Sequence, residues 1–170
     1  MEKNKDEIIK SRPAKRDKVF GYQLLLDLYD CSDGVCDDLS LCYHFLDEIV
    51  DELGMAKQAP PSIFRSDAER YPDKAGLSGW VPLIESSVVI HTLSQKNFIT
   101  IDIYTCGYFD PKLAKKFCTN YFGPKKIESH FTERGKDYYK TDTTYHSMEV
   151  RKGKIQNINI KSTQNNKKKH

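Results

Sequence analysis

The sequence has no apolar run near the roughly 20 residues that a membrane-spanning helix needs. Its longest apolar stretches, residues 19–29 and 81–92, stop well short of that, so no membrane partner is expected. The opening MEKNKDEIIKSRPAKRDK lacks the apolar centre of a secretory signal, and a cytoplasmic protein is expected. There is little excess of charge either, with 27 basic against 24 acidic residues and a formal net charge of +3. Part of that excess sits in Lys167, Lys168 and Lys169, a solubilising tail, so nucleic acid is not an expected partner. The five cysteines, Cys31, Cys36, Cys42, Cys106 and Cys118, form no CxxC pair. Their odd number in an unsecreted chain points to reduced thiols, and neither a disulfide framework nor a zinc or other metal site is expected. No internal repeat is present.

What remains is enough for one folded domain. The chain has 170 residues, 38% of them hydrophobic and 11% aromatic, which suffices for a core and excludes global disorder. Residues 1–18 are charged and aperiodic and read as a flexible arm. GYQLLLDLYDC reads as a buried strand ending at Asp30, Ser32, Asp33 and Gly34. Asp37 and Asp38 then precede Leu39, Leu41, Cys42, Phe45, Leu46, Ile49, Val50 and Leu53, spaced by threes and fours up to Gly54. That pattern predicts an amphipathic helix with acidic residues at its positive end.

Residues 55–64, interrupted by Pro60 and Pro61, allow at most a short or edge strand. After the loop RSDAERYPDKAG come LSGWVPLIESSVVIHTL and FITIDIYTCGYF, joined by Ser94, Gln95, Lys96 and Asn97, which read as a long antiparallel hairpin. DPKLAKKFCTNYF predicts a second helix, with Pro111 in its first turn and Gly123-Pro124 as the stop. Residues 125–134 can hold a further strand, and residues 148–150 and 155–160 hint at extended structure. The expected fold is α+β: a two-layer sandwich of a mainly antiparallel sheet with helices on one face, spanning residues 19–160 and followed by a disordered basic tail at 161–170.

Chemistry-bearing residues cluster in one segment. GLSG (76–79), Glu85-Ser86, Ile90-His91-Thr92 and Thr105-Cys106-Gly107 follow one another along predicted adjacent strands. In order and spacing they resemble the self-processing prokaryotic S-adenosylmethionine decarboxylases, whose corresponding motifs run approximately GVSG, ESH, IHT and TCG. The likeness extends over residues 19–122, since GYQLLLDLYDC followed by DDL also resembles that family's opening strand and helix.

The resemblance implies an enzyme that makes its own cofactor, a pyruvoyl group derived from Ser86. The Ser86 hydroxyl attacks the carbonyl of Glu85, the resulting ester eliminates, and the chain is cut between Glu85 and Ser86. By the same resemblance His91 accepts the processing proton, Ser78 hydrogen-bonds an intermediate, and Cys106 is the proton donor of the later decarboxylation, in which the pyruvoyl ketone forms a Schiff base with the substrate amine. The residue types suit these tasks: an imidazole titrates near neutral pH, and a thiol can deliver a proton. His91 lies five residues from Ser86, however, and an odd separation places them on opposite faces of a regular strand. The match therefore requires a bulge or twist between them, or approach from a neighbouring segment. Cys31, Cys36, Cys42 and Cys118 are assigned to packing. Glu128-Ser129-His130, superficially closer to the family's ESH, lacks the GLSG before it and the His-Thr after it, and is discounted.

Four positions depart from the family pattern. Ser87 stands where His usually follows the cleaved serine, and Gln23 where the first strand often carries His. Gln95 replaces a glutamate that would take the ribose hydroxyls, and Tyr71-Pro72-Asp73-Lys74-Ala75-Gly76 replaces a Phe-x-Pro-x-Gly approach. Tyr71 or Trp80 could supply the aromatic face for an adenine. The implied function is S-adenosylmethionine decarboxylation in polyamine synthesis by a homodimer. Ornithine or arginine decarboxylation on the same scaffold is the alternative, and a non-catalytic regulatory homologue the second.

Overall fold

Two helices owe their ends to single residues. In the computed structural model, which describes residues 19–138, 145–151 and 154–160, the Asp38 carboxylate accepts the Leu41 N–H at 2.9 Å and starts helix α1 (Leu39–Glu52). Asp110 does the same for Lys112 N–H at 2.8 Å, with Pro111 in the first turn of α2 (Pro111–Phe122). Gly123, at φ 56°, closes α2 through its N–H to Thr119 O at 2.9 Å. The strands are β1 (Gly21–Tyr29), β2 (Ser62–Arg65), β3 (Leu77–Leu83), β4 (Ser86–Leu93), β5 (Phe98–Thr105) and β6 (Lys126–Arg134). They form one six-stranded sheet in the order β2-β3-β4-β5-β1-β6, with every neighbouring pair antiparallel.

Alternation along the four inner strands, β3, β4, β5 and β1, sorts the sheet into two faces. Leu24, Leu26 and Leu28 of β1, Val81 and Leu83 of β3, Val88 and Ile90 of β4, and Ile99, Ile101 and Ile103 of β5 are buried. They share one core with Cys42, Phe45, Leu46, Ile49 and Val50 of α1 and Ala114, Cys118 and Phe122 of α2. The four cysteines assigned to packing are all buried, and burial pushes the Cys42 and Cys118 thiols up to about 12. The opposite face carries Ser78 and Trp80 of β3, Ser87, Val89 and His91 of β4, Thr100, Asp102 and Tyr104 of β5, and Gln23, Leu25 and Asp27 of β1. This is the α+β two-layer arrangement expected, with β2 a four-residue edge strand just beyond Pro60 and Pro61.

One expectation is corrected. The run LSGWVPLIESSVVIHTL is not one arm of a hairpin but two strands, β3 and β4, folded back at Ile84-Glu85 with Leu83 facing Ser86. The turn contains no glycine, proline or asparagine, and it is imposed by contacts distant in sequence, described below.

The chain divides into a unit ending at Lys136 and a second unit beginning at Asp137. The second contains β7 (Tyr145–Arg151) and β8 (Lys154–Ile160), an antiparallel pair running from Tyr145↔Ile160 to Arg151↔Lys154. Both extended hints at the C-terminal end thus fall on strands. The arm at 1–18 and the tail at 161–170 lie outside the described residues. Among the described residues no helix is long and apolar enough to cross a membrane.

Candidate active site

The β3–β4 turn is held from two sides. From one, Ile84 N–H donates to Ala56 O at 2.9 Å, Gln58 N–H to Pro82 O at 2.9 Å, and Ala56 N–H to the Glu85 carboxylate at 3.3 Å. That carboxylate is thereby buried beneath the turn. From the other, the main-chain N–H of Cys106 donates to Glu85 O at 2.8 Å, so the carbonyl preceding Ser86 is already polarised by a fixed donor. Between these restraints Ser86 is held at φ 145°, a region that is nearly glycine-only and costs on the order of 1–3 kcal/mol for other residues. Strain, a hydroxyl and a polarised carbonyl coincide at one peptide bond.

Cys106 lies just past the end of β5, beside Ser86, whose ladder partner is Thr105. It is the one exposed thiol of the five cysteines. Its main-chain N–H and its Sγ are thus available for separate tasks.

Ser78 and His91 are cross-strand partners on β3 and β4, and Ser78 Oγ lies 3.0 Å from His91 Nδ1. Both are exposed on the helix-free face. The register of β4 against β3 and β5 runs unbroken from Ser86 to His91, so no bulge joins Ser86 to His91. The twist lies at Ser86 itself, and five strand residues still separate the two by about 16 Å. Gln95 sits in the turn after β4, and the neighbouring Ser94 N–H donates to Ala75 O at 2.9 Å. That contact brings Gln95 and the 71–76 loop to one end of the sheet, the end opposite Ser86 and Cys106. Tyr71 is exposed there with Arg70 over its ring at 5.2 Å. Trp80 is exposed between the two ends, opposite Val89. Within one chain the structure therefore makes two groups: Glu85, Ser86 and Cys106 at one end, and Ser78, His91, Gln95 and Tyr71 toward the other.

Glu128-Ser129-His130 lies in the middle of β6 in regular ladder pairing with β1. The Glu128 carboxylate takes Lys126 Nζ at 2.6 Å and the Tyr29 hydroxyl at 3.1 Å, contacts that hold it below the usual carboxylate range. Nothing strains or polarises that segment as at Ser86.

Three neighbouring groups carry no local signal in the sequence. Ala56 lies in a segment read only as an interrupted strand, the Cys106 N–H is main chain, and Asp102 is one polar residue in an alternating strand. On the helix-free face the Asp102 carboxyl is raised by burial, drawn down by His91, and raised again by Asp27. Placing Asp102 and His91 on one face needs the β4–β5 register as well as the alternation of each strand.

Known proteins resemble this chain in sequence and fold. A model of the S-adenosylmethionine decarboxylase family matches residues 22–135. The S-adenosylmethionine decarboxylase proenzyme of Pyrobaculum neutrophilum is 30% identical over 118 residues, 69% of this chain and 90% of that protein. That of Pseudomonas paraeruginosa is 34% identical over 89 residues, 52% of this chain and 51% of that protein. The crystal structure of the adenosylmethionine decarboxylase from Aquifex aeolicus superposes with a TM-score of 0.57 at 27% identity, covering 70% of this chain and 93% of that one. With two thirds of its length matched and the GLSG, Glu-Ser, His-Thr and Thr-Cys-Gly positions in place on adjacent strands, the chain belongs to the S-adenosylmethionine decarboxylase family.

Proposed function

We propose that this protein is a pyruvoyl-dependent S-adenosylmethionine decarboxylase that cuts itself between Glu85 and Ser86 and supplies the aminopropyl donor for spermidine synthesis. The observation that carries the reading is the Glu85–Ser86 bond itself: a serine at φ 145° whose preceding carbonyl oxygen accepts the Cys106 N–H. Attack of Ser86 Oγ on the Glu85 carbonyl carbon relieves the strain, and the Cys106 N–H holds the oxygen that becomes negative. The C–N bond breaks, leaving an ester. Removal of the Ser86 α-proton by His91 then expels the Glu85 carboxylate, and water replaces the nitrogen as ammonia. The pyruvoyl group left on residue 86 supplies a carbonyl that draws electrons from the breaking bond to the carboxylate. Cys106 keeps its Sγ proton for the carbon from which carbon dioxide has departed.

The same reading takes the working unit as a symmetric homodimer. Ser78 and His91 stand about 16 Å of strand from Ser86, and a proton acceptor must come within about 3 Å. A second copy facing the helix-free side of the sheet offers its own Ser78, His91, Gln95 and Tyr71 to the Ser86 and Cys106 of the first. The face carries Trp80, Val89, Leu25 and Tyr104, side chains suited to an isologous contact. Five free thiols fit a reducing compartment, and we place the enzyme in the cytoplasm.

Intact mass and carbon dioxide release test this reading. Two chains of 85 residues, the second blocked at its N-terminus, are expected, with turnover of labelled S-adenosylmethionine above that of ornithine or arginine. A chain that stays whole after prolonged incubation would favour the regulatory homologue, and faster release from either free amino acid would move the substrate to it. Cys106→Ala is expected to be cut normally, because the N–H on Glu85 O is main chain, while turnover falls by about 10²–10⁴. Comparing the cut fraction with product formation checks this. Gln95→Glu is expected to lower KM for S-adenosylmethionine by about tenfold, since a carboxylate accepts the ribose hydroxyls in charge-assisted bonds. An unchanged or raised KM would remove residue 95 from the ribose.

A further inference from the structure

On the helix-free face, at the end that holds Ser86 and Cys106, Arg134 of β6 reaches across β1. Its ladder partner there is Gly21, which presents no side chain to block the way. The guanidinium lies over the ring of Tyr104 on β5, 4.3 Å from the ring centroid, and donates to Gln23 Oε1 at 3.3 Å. Tyr104 pairs with Ser87, the residue after the scissile bond. It also points to the same face as Cys106, two residues and about 7 Å further on. The ring contact and the amide thus hold a cation beside the reacting end of the sheet.

The environment of this cation differs from that of the other basic side chains in ion pairs. Lys57, Arg65, Lys126 and Lys136 all have carboxylate partners. Among the described residues Arg134 has none, and one of its five N–H donors is engaged by a neutral amide. A guanidinium held in this way, with no carboxylate partner among the described residues, can take a carboxylate in its bidentate fork.

We propose that Arg134, positioned by Tyr104 and Gln23, binds the α-carboxylate of the amino-acid substrate. This rests on the decarboxylase reading above, and the function of that group is discrimination: it holds a substrate that still carries its carboxylate and has no purchase on the decarboxylated product. The contact is made in the ground state and lost as carbon dioxide leaves. Its removal therefore weakens substrate binding and leaves the chemical step no slower.

The test is steady-state kinetics of Arg134→Gln with whichever of S-adenosylmethionine, ornithine or arginine the wild-type enzyme turns over, alongside inhibition by the corresponding decarboxylated amine. The variant is expected to cut itself, to raise KM by about ten- to a hundred-fold, to keep kcat within about threefold, and to leave the Ki of the amine unchanged. Arg134→Lys, which keeps the charge but loses the fork, falls between the two, and it carries the same comparison if the glutamine variant fails to cut. A Ki that rises in step with KM, or a KM that does not move, overturns the assignment while leaving the decarboxylase reading intact. Turnover of none of the three by the wild type overturns both.

Discussion

Ser86→Ala is expected to leave the chain whole and without decarboxylase activity, at every pH and incubation time at which the wild-type chain is fully cut. Alanine keeps the β carbon and the backbone geometry but has no oxygen to attack Glu85, and no other residue supplies one. Removing the nucleophile of a covalent mechanism costs on the order of 10⁶ in rate, which for a single self-cutting event puts cleavage beyond detection. Ser86→Gly separates the chemistry from the strain. It too stays whole, but glycine adopts φ 145° freely, so the glycine chain is expected to be more stable than the alanine chain by about 1–2 kcal/mol. In a chain of this size that is roughly 2–4 °C in Tm for each kcal/mol. Intact mass reads the first outcome and thermal unfolding of the two uncut chains the second. A cut alanine chain would move the processing site elsewhere, and equal melting temperatures would mean that Ser86 stores no strain.

The origin of that strain explains why the turn was not legible in the sequence while its flanks were. Helix α1 is written in local terms, with a cap at Asp38 and apolar residues spaced by threes and fours, and α2 likewise between Pro111 and Gly123. Edge strand β2 follows from Pro60 and Pro61. The bend at Ile84-Glu85 has no such local code. Ile84 is an apolar residue 66% exposed at the tip of a turn, against its own propensity. The bend exists because Ala56 and Cys106, far along the chain in each direction, bind its polar groups. Local preference and tertiary structure disagree at the one bond that must break, as expected where a fold is shaped by function.

The candidate residues show the same division. Motif order singled out Ser86, His91, Ser78 and Cys106, and the structure sets Ser78 against His91 and Cys106 against Glu85 as neighbours. Strand parity placed Ser86 and His91 on opposite faces, and the unbroken register of β4 agrees with that parity. Asp102 and Arg134 stayed hidden for a different reason. Asp102 is one polar residue in an alternating strand and Arg134 the last of a largely polar, exposed one, and the significance of each depends on which strand lies next to it, information that register carries and spacing does not.

The separation of Ser86 from His91 leads to the second large effect, in mixed dimers. His91→Ala alone is expected to remain uncut or to stall at the ester, and Ser86→Ala alone to remain uncut. If each site takes Ser86 and Cys106 from one copy and Ser78 and His91 from the other, a dimer of the two variants contains one complete site. Its serine belongs to the His91→Ala chain, and its histidine to the Ser86→Ala chain. Co-expression of the two, distinguished by a mass tag, is therefore expected to restore cleavage of the His91→Ala chain alone. Random pairing puts about half of all dimers in the mixed state, so about half of the His91→Ala chains become cut, against essentially none in either pure variant. Mass spectrometry of the purified mixture reads this directly. Were both residues to act within one chain, every site in the mixture would lack one of them, and no cleavage would appear in any combination. The 16 Å of regular strand between them would then have to be closed by a rearrangement of β4, and hydrogen exchange along β4 of the uncut Ser86→Ala chain would show that opening as lost protection.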